Sequence, residues 1–138
     1  MNFDKLNLST DPNDIDISFV INFLKKSYWA KDRTEASIRL SLKNSICFSL
    51  LLDEQQIGFA RIVTDKVVYA YLMDVFIDPL YQGKGYGSYF IDQILLDPVI
   101  SQVECMRLAT VDAHPFYQKK GFINIKHPEY LMEKKKTE

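Results

Sequence analysis

Hydrophobic positions change their period several times along the chain, and each change predicts a different kind of element. Ile17, Val20, Ile21, Leu24 and Tyr28 fall on one face at helical spacing, behind an Asp11-Pro12 pair whose acid and fixed proline φ suit a helix start. A second helix is predicted over "KDRTEASIRLSLKNS", where Asp32 and Glu35 stand at capping-box spacing and Ile38 and Leu42 follow four apart. From residue 46 the spacing gives way to apolar runs: "ICFSLLL", "IGFARIV" and "VVYAYLMDVFI", separated by the polar "DEQQ" and "TDK". This pattern predicts three strands joined by two hairpin turns, hence adjacent and antiparallel.

Helical spacing returns in "GSYFIDQILL", which puts Phe90, Ile91, Ile94 and Leu95 on one face and ends before Pro98. "VECMRLATV" is a further strand, and a strand-helix-strand crossover places it parallel to, and beside, the long third strand. "HPFYQKKGF" reads as a short helix ended by Gly121, with residues 122–125 and 130–132 as late edge strands and residues 3–8 as a short first strand. The fold class is α/β of the α+β kind: a mixed, mostly antiparallel central sheet with flanking helices. Neither repeat nor linker breaks the chain, so residues 1–138 read as a single domain.

A length of 138 residues with 47% hydrophobic positions suits one core. The formal net charge is -1, and the basic residues are scattered apart from "KKK" at 134–136, which argues against nucleic acid as a partner. "MNFDKLNLST" has neither the basic start nor the apolar core of a secretory signal, and no apolar run is long enough for a bilayer. A cytoplasmic protein without membrane attachment is expected. Cys47 and Cys105 stand apart and read as small hydrophobes within strands, while His114 and His127 lack ligand-spaced partners. No metal is expected.

The chemistry concentrates in "YQGKGYGSYF", residues 81–90, where Gly83, Gly85 and Gly87 alternate and then run into the predicted helix. Backbone without Cβ atoms, at a helix N-terminus, can gather N–H groups around an anion; the same pattern also serves a plain strand-to-helix turn. A Walker loop is excluded, because Ser88 and Tyr89 follow Gly87 where Lys and then Ser or Thr are needed. The dinucleotide fingerprint fits poorly: the spacing is G-x-G-x-G, late in the chain, after an antiparallel meander.

"DVFIDPLYQGKGYGSYFIDQIL" resembles the acyl-coenzyme A-binding segment of the GNAT superfamily of N-acetyltransferases, with Gln82, Gly85 and Gly87 on the marked positions of (Arg/Gln)-x-x-Gly-x-(Gly/Ala). "ATVDAHPFYQKKGF" is similar to the family's second motif, through Ala113, Tyr117, Gly121 and Phe122. The resemblance covers essentially the whole order of elements and implies a GNAT fold whose strands splay at the acetyl-coenzyme A site. It implies that Gln82, Gly83, Lys84, Gly85, Tyr86, Gly87 and Ser88 cradle the coenzyme pyrophosphate. The backbone of Val75, Phe76 and Ile77 would then pair with the pantetheine arm and polarise the thioester, beside Tyr117.

The activity implied by the resemblance is transfer of an acetyl group to a primary amine of a small molecule, with Tyr117 as general acid. Asp74 is the only carboxylate where many relatives carry a basic Glu; it is the candidate base or amine anchor, provided a strand bulge turns it toward the site, with Tyr71 acting through water as rival. Trp29 in the "SYWAKDR" joint and Tyr71 are candidate acceptor contacts, and with Tyr69 they suggest an apolar or cationic amine. Arg61 is either an anchor for an acceptor carboxylate or an outward-facing edge charge, and His114 a helix cap or proton relay. Gln82 and Thr110 replace an Arg and an Asn common in the family. A non-catalytic acyl-coenzyme A-binding or sensing module is the alternative reading, and a homodimer through the late strands is compatible with the family pattern.

Overall fold

Polar turn residues decide where the sheet doubles back. The computed structural model describes residues 3–136. Asp53 and Glu54 adopt positive φ (49° and 70°) and form a two-residue turn of the hairpin type, so β2 (Ile46–Leu52) and β3 (Gln55–Thr64) run antiparallel. The next turn hangs on Asp65, whose carboxylate accepts from the N–H groups of Val67, Val68 and Tyr69 at 2.8–3.1 Å. Those donors are therefore taken, and β4 (Tyr69–Ile77) begins two residues later than the apolar pattern predicts. The sheet has order β1-β2-β3-β4-β5, with β1 at Leu6–Ser9 rather than 3–8, and β5 (Cys105–Leu108) parallel to β4 as expected.

Both faces of this sheet are covered. On one side α1 (Ile17–Lys26) and α2 (Glu35–Lys43) bury Val20, Leu24 and Ile38 against Phe59 and Phe76. On the other, α3 (Tyr86–Leu95) buries Phe90, Ile91 and Ile94 against Phe48, Leu50, Ile62 and Leu72. The helix starts differ from expectation. Asp11 caps only a 3-10 turn at Pro12–Asp14, while Asp16 caps α1 through Phe19 N–H and Thr34 caps α2 through Ser37 N–H. In each case a later oxygen stands at the right distance from the first helical N–H groups. Tyr28 lies past the end of α1 and is exposed. Buried Gln56 ties layers together: its amide accepts from Asp16 N–H at 2.7 Å and donates to Ser49 Oγ and the Gly58 carbonyl.

The late edge strands do not form. The short α4 (His114–Gln118) stops at Gly121, whose φ is 98°, with Phe122 N–H donating back to the Tyr117 carbonyl and Gly121 N–H to that of Gln118. Tyr130 and Leu131 spend their N–H groups on a 3-10 turn at Pro128–Tyr130. The donors a ladder needs are used locally, so β5 is the sheet edge among the described residues. Cys47 and Cys105 both lie within strands as expected, Cys47 buried in β2 and Cys105 exposed at the start of β5.

Gly58 lies mid-sheet, where an added Cβ would stand 3.2 Å from Leu50 Cβ and 3.3 Å from the Phe76 carbonyl oxygen. Gly58→Ala is expected to lower unfolding free energy by about 1–3 kcal/mol through overpacking, read from urea denaturation followed by circular dichroism.

Candidate active site

The glycine loop is shaped by its own backbone. Asp78 accepts from Leu80 N–H and starts a 3-10 turn at Pro79–Tyr81, after which Gln82 Nε2 donates to the Ile77 carbonyl at 2.8 Å. Gly83 (φ 76°) and Gly85 (φ 87°) then take left-handed conformations that other residues reach only with strain. Gly85 is the N-cap of α3 and has no side chain to cap it. The N–H groups of Tyr86, Gly87 and Ser88 consequently make no hydrogen bond among the described residues, and they sit at the positive end of the helix dipole. Lys120, at the end of α4, fixes this turn from outside: its ammonium bonds the Ser88 hydroxyl and carbonyl and pairs with Asp92 at 2.8 Å.

Beside the loop the sheet opens. Pairing between β4 and β5 runs only from Tyr69–Cys105 to Leu72–Leu108, so the edge of β4 from Met73 to Ile77 faces no strand on that side. A cleft of about 410 Å³ occupies the gap, lined by Tyr71 to Val75 on one wall, Leu108 to Thr110, Asp112, Ala113 and Tyr117 on another, and Tyr28, Trp29 and Arg33 from the joint between α1 and α2. This is the splay that the resemblance requires, and it brings Trp29, Tyr71, Asp74, Val75 and Tyr117 together. Tyr69 lies outside it, under the Arg107 guanidinium.

Asp74 owes its place to a bulge. Phe59 pairs with Phe76 but Arg61 with Met73, so β4 carries one extra residue here, and Asp74 takes a φ of 55°. Its side chain turns toward α1 and α2, where Oδ1 accepts from Trp29 Nε1 (2.9 Å) and Arg33 Nη1 (3.0 Å), and Oδ2 from Arg33 Nη1 and Arg61 Nε (both 2.9 Å). Burial alone would raise this carboxyl, but the hydrogen bonds and charges of Arg33 and Arg61 outweigh it and hold its pKa below the usual aspartate value. Arg61 is itself buried, and Ser45 Oγ and Met73 Sδ take its remaining nitrogens. Arg61 is therefore neither an edge charge nor open to an acceptor, because β3 is interior to the sheet.

On the opposite wall Tyr117 lies edge-on to Phe116 and Phe122, and its hydroxyl makes no hydrogen bond among the described residues. Burial pushes the Tyr117 phenol above its ordinary value of 10.0. Thr110 Oγ1 accepts from Ala113 N–H and so shapes the turn into α4. His114 makes no side-chain cap and lines a separate groove along β5. Cys47 is raised to about 11 by burial, which leaves it an inert thiol. Among the described residues no three His, Cys, Asp or Glu side chains could hold a metal ion, and no helix is long and apolar enough to cross a membrane.

Sequence reasoning missed Arg33, Lys120 and Asp112 as parts of this site. Arg33 had a signal: it lies four residues after Trp29, inside the joint expected to form the acceptor site. Lys120 and Asp112 had none, because their places depend on how α4 docks.

The family model for the acetyltransferase (GNAT) domain matches residues 43–124. A Gibberella zeae protein described as acetyltransferase FG08082 is 31% identical over 108 residues, and the uncharacterized N-acetyltransferase ycf52 of Pyropia yezoensis is 33% identical over 101. These matches cover 64% and 69% of this chain but 60% and 58% of those proteins, so the chain spans about three-fifths of their length. A Xanthomonas campestris pv. campestris crystal structure assigned to the GNAT family superposes with a TM-score of 0.89 at 34% identity, covering 94% of this chain and 92% of that one. A Clostridium acetobutylicum acetyltransferase solved with acetyl-CoA shares the fold at a TM-score of 0.66 and 16% identity, covering 94% and 96% of the two chains.

Because the folded pKa of Asp74 lies below its ordinary value of 3.8, its stabilisation is present above that pH and is lost as pH falls through the folded value. Asp74→Asn should therefore unfold about 3 kcal/mol more easily at pH 7, since breaking a buried pair strands the partner charges. That deficit should shrink as pH falls below ~4, where the unfolded chain takes up the proton first and the folded carboxyl follows at lower pH. Urea titrations of both proteins at pH 7 and pH 3 test this.

Proposed function

Because the chain belongs to the GNAT acetyltransferases, we propose that it transfers an acetyl group from acetyl-coenzyme A to the primary amine of a small molecule. The observation that supports this most strongly is the coincidence of an open strand edge, from Met73 to Ile77, with unpartnered N–H groups at the start of α3. An amide-rich, diphosphate-bearing ligand needs those two features side by side. In this reading the N–H groups of residues 83–88 hold the pyrophosphate. Gln82 supports the loop, since its amide nitrogen is already committed to the Ile77 carbonyl.

Acetyl-coenzyme A supplies the activated thioester, and the chain supplies position, polarity and a proton. The backbone N–H at Val75 or Phe76, beside the bulge, donates to the thioester oxygen as negative charge develops there. The acceptor nitrogen, entering from the joint between α1 and α2, attacks the carbonyl carbon as its own proton passes to water. The carbon–sulfur bond breaks, and the Tyr117 hydroxyl protonates the departing sulfur. Burial keeps that hydroxyl protonated through the neutral range.

Asp74 does not act as the base in this reading. Two guanidinium groups and an indole N–H occupy both its oxygens, and its lowered pKa makes it a weak proton acceptor. It anchors the acceptor wall instead. The same occupancy favours one alternative, an acyl-coenzyme A-binding module without turnover.

Calorimetric titration with acetyl-coenzyme A should give micromolar binding to the parent and none to a folded Gly85→Glu variant, whose carboxylate would enter the phosphate cradle. Tyr117→Phe should keep coenzyme affinity while kcat with an amine panel falls about 10²-fold, the scale of a lost general acid. Binding without thiol release from any amine would select the non-catalytic alternative; absence of binding would overturn both.

A further inference from the structure

Charge does not balance around Asp74. One carboxylate is shared by two guanidinium groups, both permanently ionised, so the cluster carries an excess positive charge at the cleft wall. The two arginines are not equivalent. Arg61 has a side chain 8% exposed and every nitrogen engaged. Arg33 is 26% exposed, lines the cleft, and uses only Nη1, in its bonds to Asp74. Its Nε and Nη2 make no hydrogen bond among the described residues. Those two nitrogens form the side of the guanidinium that grips a carboxylate through two parallel hydrogen bonds.

Asp74 clamps the opposite side of the same group, and Trp29 and Arg61 hold Asp74 in turn. The free fork is thus fixed before any ligand arrives, which lowers the entropy cost of binding. Asp112 lines the same cleft from the β5–α4 wall, is exposed, and pairs with no cation among the described residues. The cleft therefore offers a cationic fork from one wall and a carboxylate from another, a pairing suited to a ligand that carries both signs.

We propose that the acceptor is a small zwitterion, an amine with a carboxylate a few bonds from its nitrogen, and that Arg33 binds this carboxylate while Asp112 attracts the ammonium group. This rests on the acetyltransferase reading. Arg33 holds Asp74, and Asp74 directly precedes Val75, one of the residues whose N–H would polarise the thioester. The fork and the backbone at Val75 therefore line one cleft, which the acceptor spans. Trp29, Tyr28 and Tyr71 flank this space with aromatic surface for the carbon skeleton. The arrangement disfavours an acceptor with a second cationic group, which the aromatic residues alone would admit, because Arg33 repels a second ammonium group.

The test compares the common L-amino acids and β-alanine with their carboxamides, as acceptors in an acetyl-coenzyme A thiol-release assay. In parallel, their N-acetylated forms are titrated calorimetrically into protein saturated with coenzyme A. The best acid is expected to exceed its amide by at least about tenfold in kcat/KM, mainly through KM, and its N-acetyl form to bind at least about tenfold tighter. Arg33→Gln should erase both preferences. Arg33→Lys, which keeps the charge on Asp74 and so guards against simple unfolding, should retain part of them. Amides equal to or better than acids, or an acid preference that survives Arg33→Gln, would overturn the inference alone. A parent that binds no acetyl-coenzyme A would overturn the transferase reading and the inference with it.

Discussion

The buried carboxylate of Asp74 is the constraint on which the rest of the site depends. It draws Trp29 and Arg33, from the joint between α1 and α2, onto β4 at the point where β4 and β5 part. To reach them Asp74 occupies left-handed backbone, a conformation that an Asp tolerates better than most residues but which still costs on the order of 1 kcal/mol. Four hydrogen bonds, all charge-assisted, offset that strain. The bulge therefore persists because the tertiary contacts hold it, and it shifts the facing of every β4 residue beyond it.

That shift links packing to chemistry. Past the bulge Phe76 stacks on Phe23 at 3.8 Å on the α1 side, while Val75 and Ile77 turn toward α3. The free edge that remains carries backbone N–H and C=O groups beside a cleft walled by aromatic rings. On the far side, the Lys120 ammonium joins α4 to the first turn of α3, so Tyr117 and the glycine loop are positioned by one connection.

The same electrostatics exclude some chemistry. A carboxylate held by two arginines is a poor base, and a thiol pushed to about 11 is a poor nucleophile. The groups still reactive or available lie at the cleft surface: the Tyr117 hydroxyl, the Arg33 fork and the Asp112 carboxylate. In the proposed transfer, the acceptor's ammonium group therefore gives its proton to solvent before the nitrogen attacks.

Much of the fold was legible in local pattern. The period change at residue 46, the Asp53–Glu54 turn region and the helix after the glycine loop stem from side-chain alternation and turn chemistry, which act over a few residues. The loop itself was legible because glycine at positive φ leaves a mark in sequence at Gly83 and Gly85. Helix caps slipped because several oxygens stood close enough to serve, and only the path of the chain chose Asp16 and Thr34. The late strands failed because Phe122, Tyr130 and Leu131 spend their N–H groups in nearby turns. The sequence by itself determined the order of elements as far as α4 and the glycine loop, since each depends on neighbours in the chain. Only the tertiary structure decided which arginine is buried and which faces the cleft. Arg33 and Arg61 meet Asp74 from 41 and 13 residues away, and burial over such distances leaves no local signature.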